Sequence, residues 1–169
     1  MNATPDDAKN QQTSPVTAGL SSDEWGRRYR ALRPQYERFA VKLKSLLEDL
    51  LQAQGIKFQV VESRAKAGDS FTEKLERGGK TYAKPLEEMT DLTGARVIVY
   101  YANDVPIVSS LVGSEFTVNE KESIDKSLAL APDQFGYLSV HKIVNLSPAR
   151  AALLEWKQSR MYQLNFGVG

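Results

Sequence analysis

Asp91-Leu92-Thr93-Gly94-Ala95-Arg96-Val97-Ile98-Val99-Tyr100-Tyr101 is the densest apolar and β-branched run in the chain, and the other segments arrange around it. A continuous run of this kind, opened by a Gly-containing turn and closed by Asn103-Asp104, reads as a central strand buried on both faces. That is the sheet of an α/β or α+β domain. The run begins on a carboxylate. An Asp at a strand entrance is ordinarily a turn residue or a helix stop. The alternative is an oxygen ligand for Mg²⁺, because a hard cation that accompanies phosphates is held by one or two carboxylates on a rigid element.

With 169 residues, the chain has room for one domain with a real core and a tail. A net charge of +1 offers no basic surface along which nucleic acid could wrap, so any phosphate site must be a local cluster. The absence of cysteine excludes disulfides and thiolate zinc sites and permits a reducing cytoplasm. His141 is the single histidine, which removes His-rich metal sites and leaves one imidazole for any Ser-His-Asp arrangement. No stretch approaches the apolar length needed to cross a bilayer, and the first residues are polar and acidic. A soluble, unexported, cytoplasmic protein is expected.

Residues 1–20 have almost nothing to bury and are expected to be disordered. Ser21 and Glu24 then form a capping-box pattern. Trp25, Tyr29, Leu32, Tyr36, Phe39, Leu43, Leu46 and Leu50 follow at alternating three- and four-residue steps, an apolar stripe on one helical face. Pro34 should kink this helix or start a second one, and Gly55 should end it. The stripe packs on the sheet or, given its heptad-like spacing, on a second copy of the chain. Residues 21–55 are thus a helical segment that precedes a sheet-containing domain over 56–169.

From Ile56 the period changes to two: Ile56, Phe58 and Val60 alternate with Lys57, Gln59 and Val61, a strand. Ser63-Arg64-Ala65-Lys66 ends it, and Ser70, Lys74 and Arg77 follow at i, i+4 and i+7, one face of a helix. A helix N-terminus, a hydroxyl and up to four cationic groups converging after a strand end make a cradle for a polyphosphate. The alternative is a solvated charged helix balanced by Glu73 and Glu76. Gly78-Gly79 breaks the helix, Lys80 to Lys84 forms a mobile loop, and a short acidic turn from Leu86 to Met89 leads to Asp91. Beyond the central strand, Asp104 caps a short helix through Ile107, Val108, Leu111 and Val112 that ends near Gly113. Phe116 and Val118 belong to another strand, and Lys121 to Gln134 reads as a long loop.

Gly136 to Val144 is a further strand with two unlike faces. Leu138, Val140 and Val144 are built for packing; Tyr137, Ser139 and His141 place a ring, a hydroxyl and an imidazole in a row about 13 Å long. The row is either a sheet-edge tyrosine with a hydrogen-bonded core histidine, or a surface that reaches from a base to its phosphates.

From Arg64 to Leu146 the sequence resembles the RelA/SpoT synthetase domain of the alarmone synthetases, and the preceding helical segment is of the kind seen in small single-domain members. Three motifs carry the resemblance. Ser63-Arg64-Ala65-Lys66 with Ser70, Lys74 and Arg77 looks like the ATP-phosphate motif, Asp91 to Val97 like the metal-ligand strand, and Phe135-Gly136-Tyr137-Leu138-Ser139-Val140-His141 like the acceptor-nucleotide strand. The resemblance implies a nucleotidyltransferase-like α+β fold, a mixed central sheet flanked by helices with an N-terminal helical segment. It also implies Mg²⁺-dependent transfer of the β,γ-pyrophosphate of ATP to the 3′-hydroxyl of GTP or GDP. Arg64, Lys66, Ser70, Lys74 and Arg77 would bind ATP, Asp91 would hold Mg²⁺, and Asp91 with Arg77 would carry the catalytic roles. Tyr137, Ser139 and His141 would hold the acceptor, with Tyr137 stacked on guanine. Arg96, an odd number of residues from Asp91, goes to the other face and supports the sheet. Homo-oligomers are compatible with all of this.

Some relatives of this size are toxins that move the pyrophosphate to the 3′ end of tRNA, and a catalytically silent nucleotide-binding protein on the same fold is a third reading. The family also carries a glutamate in a later strand, in a pattern like Glu-x-Gln-x-Arg-Thr. Here Leu153-Leu154-Glu155-Trp156-Lys157 resembles the approach to that strand, Gly167 stands where the glutamate is expected, and the sequence ends at Gly169. A domain lacking that end is expected to bind nucleotide and to transfer pyrophosphate very slowly or not at all, since a positioned base contributes about 100- to 10,000-fold. Glu115, Glu120 and Glu122 are the nearest alternatives. Replacing Tyr137→Ala should weaken the acceptor nucleotide far more than ATP, because stacking on a base is worth about 1–3 kcal/mol; parallel titrations with the two nucleotides measure this.

Overall fold

A computed structural model describes residues 19–125, 139–159 and 162–169. In chain order the elements are α1 (Ser22–Ala53), β1 (Phe58–Ala65), α2 (Gly68–Glu76), α3 (Pro85–Glu88), β2 (Thr93–Val99), α4 (Asp104–Glu115), β3 (Phe116–Asp125), β4 (Val140–Leu146), α5 (Pro148–Ala151), a 3-10 turn (Leu154–Ser159) and β5 (Gln163–Val168). The strands form one mixed sheet in the order β1-β2-β5-β4-β3. Only the β2–β5 pair is parallel among the described strands. This is the α+β class expected from the sequence. Residues 1–18 of the expected tail lie outside the described residues, as do Tyr137 and most of the expected 121–134 loop. Among the described residues no helix is long and apolar enough to cross a membrane.

Local signals set the limits of α1. The capping box forms in full: Glu24 N donates to Ser21 Oγ, and Ser21 N donates to Glu24 Oε2 at 2.8 Å. At the far end Gly55 takes φ +68°, and the Gly55 and Ile56 amides donate to the carbonyls of Gln52 and Leu51. These are the two bonds of a Schellman closure, which needs a residue without Cβ at this position. Of the two outcomes expected at Pro34, the start of a second helix does not occur; one helix runs through it. Pro34 lies on the exposed flank, and buried Tyr29, Tyr36 and Phe39 anchor the helix on both sides of it.

Alternation places Ala95, Val97, Val140, Val144, Leu164, Phe166 and Val168 on one sheet face. They share a single core with Phe39, Leu43, Leu47 and Leu51 of α1 and with Val105, Val108 and Val112 of α4. The stripe of α1 thus packs on the sheet, with Leu47 and Leu51 as its deepest members at the C-terminal end and Leu46 and Leu50 beside them. The opposite sheet face carries Glu62, Arg64, Gly94, Arg96, Asn165, Gly167 and His141. The β2 run is therefore buried on one face only: Thr93, Ala95 and Val97 are buried, Arg96 is exposed, and Tyr100 and Tyr101 extend past the strand end. Three other expectations change. The β1 register slips between Phe58 and Val60, so that Val61 reaches the core where alternation from Phe58 favours Val60. Helix α4 continues through Gly113 to Glu115 and leaves Ile107 exposed, with Asn103 rather than Asp104 at its cap position. Finally, 121–125 is strand, because β3 resumes pairing with β4 at Ile124 and Asp125 after an irregular stretch.

A second cluster joins Tyr29 and Tyr36 of α1 to Ala65, Phe71, Met89 and Leu92, and Tyr162 packs against both clusters. Burial pushes the Tyr29 phenol from an ordinary value of 10.0 up to about 12, and burial also raises Tyr36 and Tyr162. The folded state thus holds the neutral phenols. Their contribution is complete below pH 10.0 and is lost as pH rises toward about 12. Circular dichroism between pH 9 and 13 should therefore show cooperative unfolding in that window, coincident with late tyrosinate absorbance.

Candidate active site

Two residues, Lys66 and Ala67, connect β1 to α2. The Lys66 amide donates to the Leu92 carbonyl at 2.9 Å, tying this connection to the turn that holds Asp91. An open pocket of about 460 Å³ lies there, lined by Lys66, Ser70, Lys74, Arg77, Lys80, Tyr82 and Asp91, with Glu73 and Gly78 at its wall. Its size is within the range of small-molecule sites. Ser70 and Lys74 are one turn apart on α2. Arg77 reaches the pocket from beyond the helix, in extended backbone at the C-cap, so the expected i, i+4, i+7 face is broken at its last member.

Asp91 is the electrostatic centre of this pocket. Lys66 Nζ and Lys74 Nζ both bond its Oδ2, at 2.9 and 2.8 Å. Its Oδ1 is buried and has no hydrogen-bond partner among the described residues. Burial pushes the carboxyl up, but the hydrogen bonds and charges of Lys74 and Lys66 outweigh that and hold it below its ordinary value. Its stabilising contribution is present above the ordinary carboxylate value and is lost as pH falls through the lowered one. The orphaned Oδ1 is a vacant acceptor that suits a hard cation. Among the described residues no group of three His, Cys, Asp or Glu could cage a metal, so an ion here would need further oxygens from a bound ligand, the usual habit of Mg²⁺.

The remaining site residues stand apart from this pocket. Arg64 is on the exposed face of β1, level with Gly94. His141 is on the same sheet face, opposite Gly167, which in turn is level with Arg96. A Cβ on Gly167 would meet His141 Cε1 at 3.3 Å, so the glycine lets the imidazole lie against the sheet. Arg96 pairs loosely with Glu62 at 3.9 Å, and shares a row with His141 across Gly167. Ser139 precedes β4, half-buried, and Tyr137 lies outside the described residues. Along β5 the open-face positions are Gln163, Asn165 and Gly167, and none carries a carboxylate. Of the alternatives, Glu115 is paired with Arg150 and Glu122 contacts Asn119; Glu120 is exposed on β3.

Several residues in the pocket or behind it had no sequence signal. Lys80 and Tyr82 come from the connection between α2 and α3, where Lys80 lies over the Tyr82 ring at 5.3 Å. From α1, the Tyr29 hydroxyl and Arg33 Nε both donate to the Lys66 carbonyl, at 2.8 and 3.0 Å. Tyr29 is legible only as a member of the apolar stripe, and Arg33 as a surface charge.

Asp91→Asn should keep the fold and lower stability by about 1–3 kcal/mol, the worth of hydrogen bonds to a charged group, since both lysines can turn to water. Metal-free binding of a non-hydrolysable ATP analogue should tighten while Mg²⁺ no longer improves it. Calorimetric titration with and without Mg²⁺ reads both effects.

A family model described as the region found in RelA / SpoT proteins matches residues 63–162. No curated protein matches by sequence. Among solved structures, the chain is similar to small alarmone synthetase 1 from Bacillus subtilis, with 20% identity, a TM-score of 0.60 and coverage of 86% of this chain and 70% of that one. The same synthetase bound to its product pppGpp matches with 21% identity, a TM-score of 0.57 and coverage of 87% and 73%. A GTP pyrophosphokinase family protein from Streptococcus pneumoniae matches at 20% identity, a TM-score of 0.58 and coverage of 86% and 68%. At these identities the structures speak for the fold, and the family model spans more than half of the sequence, from the end of β1 to the start of β5; the chain belongs to the RelA/SpoT family.

Proposed function

We propose that the chain binds ATP in the Lys66–Asp91 pocket and transfers its β,γ-pyrophosphate to the 3′-hydroxyl of GTP or GDP. The observation that carries this reading is the convergence of Lys66, Ser70, Lys74 and Arg77 with Asp91 in one open pocket. Transfer of a phosphoryl-type group needs little covalent work from a protein; positioning and compensation of the migrating charge supply most of the rate. Lys66, Lys74 and Arg77 would offset the phosphate charge, and Ser70 would donate a hydrogen bond. Asp91 would hold Mg²⁺, which when bound neutralises charge on the triphosphate. In the ligand-free chain both lysines rest on Asp91 Oδ2. Phosphate oxygens would draw them away and free the carboxylate, so metal and nucleotide binding should favour each other.

The acceptor half of the site would be the open sheet face, with Ser139, His141 and Tyr137 from β4 and the segment before it. His141 is held against the sheet by the space over Gly167, and Arg64 and Arg96 share this face. Strand β2, which follows the Asp91 turn and pairs with β5 from Thr93 onward, would link this face to the Asp91 pocket.

A second reading is a nucleotide-binding member with little or no turnover, and the observation that favours it is the open face of β5, Gln163, Asn165 and Gly167, where no carboxylate is available as a base. One assay separates the readings: purified chain with labelled ATP and Mg²⁺, offered GTP, GDP and deacylated tRNA in parallel. Guanosine 3′-pyrophosphate at any rate well above background supports the synthetase. Label on tRNA reassigns the acceptor, and binding of nucleotide without either product supports the second reading. Turnover at several per second would show that another group does the work of the absent carboxylate.

A further inference from the structure

We propose that Tyr29 and Arg33 of α1 are positioning residues for the triphosphate cradle, acting through the main chain of Lys66. This rests on reading the Lys66–Asp91 pocket as the ATP site. A peptide carbonyl offers two lone pairs and an amide one donor. At Lys66 all are used: the carbonyl accepts from Tyr29 Oη at 2.8 Å and from Arg33 Nε at 3.0 Å, and the amide donates to Leu92 at 2.9 Å. The backbone of a two-residue connection is thereby fixed from α1 on one side and from the Asp91 turn on the other. The direction of the Lys66 Cα–Cβ bond is then set, and from it the side chain runs to Asp91 Oδ2 at 2.9 Å.

The hydroxyl of Tyr29 is separable from its packing. Its ring is fully buried, stacked on Phe71 of α2 with centroids 4.4 Å apart. A phenylalanine would fill that space without the cost of burying a hydroxyl. The hydroxyl is accounted for by the Lys66 carbonyl, and Arg33, which pairs with Glu37 through its terminal nitrogen, turns its Nε to the same atom. The rest of the first turns of α1 grips the adjacent start of α2. Arg30 lies over Gly68, where a Cβ would meet its Cγ at 3.0 Å, and pairs with Asp69 at 3.0 Å. Gly26 leaves room for Thr72. Four side chains or gaps of one helix thus bear on the segment from Lys66 to Thr72.

Binding of a non-hydrolysable ATP analogue to the full chain, measured by calorimetry, tests this in a double-mutant cycle. Tyr29→Phe should weaken binding about three- to tenfold, the net worth of one hydrogen bond. Arg33→Gln should act in the same direction, and Arg33→Lys should recover part of the loss. In a Lys66→Met background less than half of the Tyr29→Phe effect should remain, because the effect passes through Lys66. A general loosening of α1 would instead lower affinity equally in both backgrounds, and that result overturns the inference, as does unchanged affinity in Tyr29→Phe. Should Tyr29→Phe fail to fold, the same cycle run with Arg33→Gln decides the matter. If the unaltered chain does not bind the analogue, the ATP-site reading itself falls, an outcome distinct from loss of the positioning role alone.

Discussion

The sheet is held together by the strand that comes last. Strand β5 lies between two pairs, β1–β2 and β4–β3, and joins them by parallel pairing with β2 and antiparallel pairing with β4. Without it the described strands would be two two-stranded ribbons, each too small to be stable alone. Leu164, Phe166 and Val168 are almost wholly buried and meet both α1 and α4 in one core. The Gly169 amide and carbonyl continue the ladder to Val97 and Val99. The same strand serves the other face, because Gly167 is the place where the imidazole of His141 can lie flat.

Parallel pairing of β2 with β5 demands a long connection, and the chain spends it on α4, β3, β4 and the 3-10 turn. Ser139 and His141, on the acceptor side of the proposed site, are carried by that connection, whereas the phosphate side is carried by β1, α2 and the turn before β2. Among the described residues the two halves are joined through the sheet. Correct geometry between them therefore depends on register, and a slip of one residue would send His141 to the core and Val140 to the surface.

Positive charge is in local excess in the Lys66–Asp91 pocket. Lys66, Lys74, Arg77 and Lys80 face only Asp91 and Glu73 across an open space, in a protein whose overall charge is only +1. Without a ligand, repulsion among the cations is relieved by Asp91, half-shielded from solvent and shared by two ammonium groups. A polyphosphate would offer the same cations more negative charge, and the carboxylate would then be available to a metal. Helix α1 supports this arrangement from behind, so the segment that covers the core also sets the shape of the pocket.

What the sequence determined by itself is what depends on neighbours within a few residues. The capping box at Ser21, the stop at Gly55, the helical period from Tyr29 to Leu43, the apolar core of β2 and the clustering of Lys66, Ser70 and Lys74 follow from side-chain chemistry and the two backbone periods. The three motifs were legible as a family for the same reason. Only the tertiary structure decided which contacts close over long separations. It carried α1 through Pro34 as one helix, because packing on both sides outweighs one lost hydrogen bond. It slipped the register of β1 and turned Val61 inward, extended β3 into a stretch that reads as loop, and made the final segment the middle of the sheet. It also left Arg64 out of the pocket that Lys66 and Lys74 line, since Arg64 is still held in the strand ladder level with Gly94 whereas the chain has turned away toward α2 by Lys66. The Tyr29 hydroxyl reaches a carbonyl 37 residues away, and no local pattern marks such a bond: in sequence, a tyrosine that only packs and one that also donates look the same.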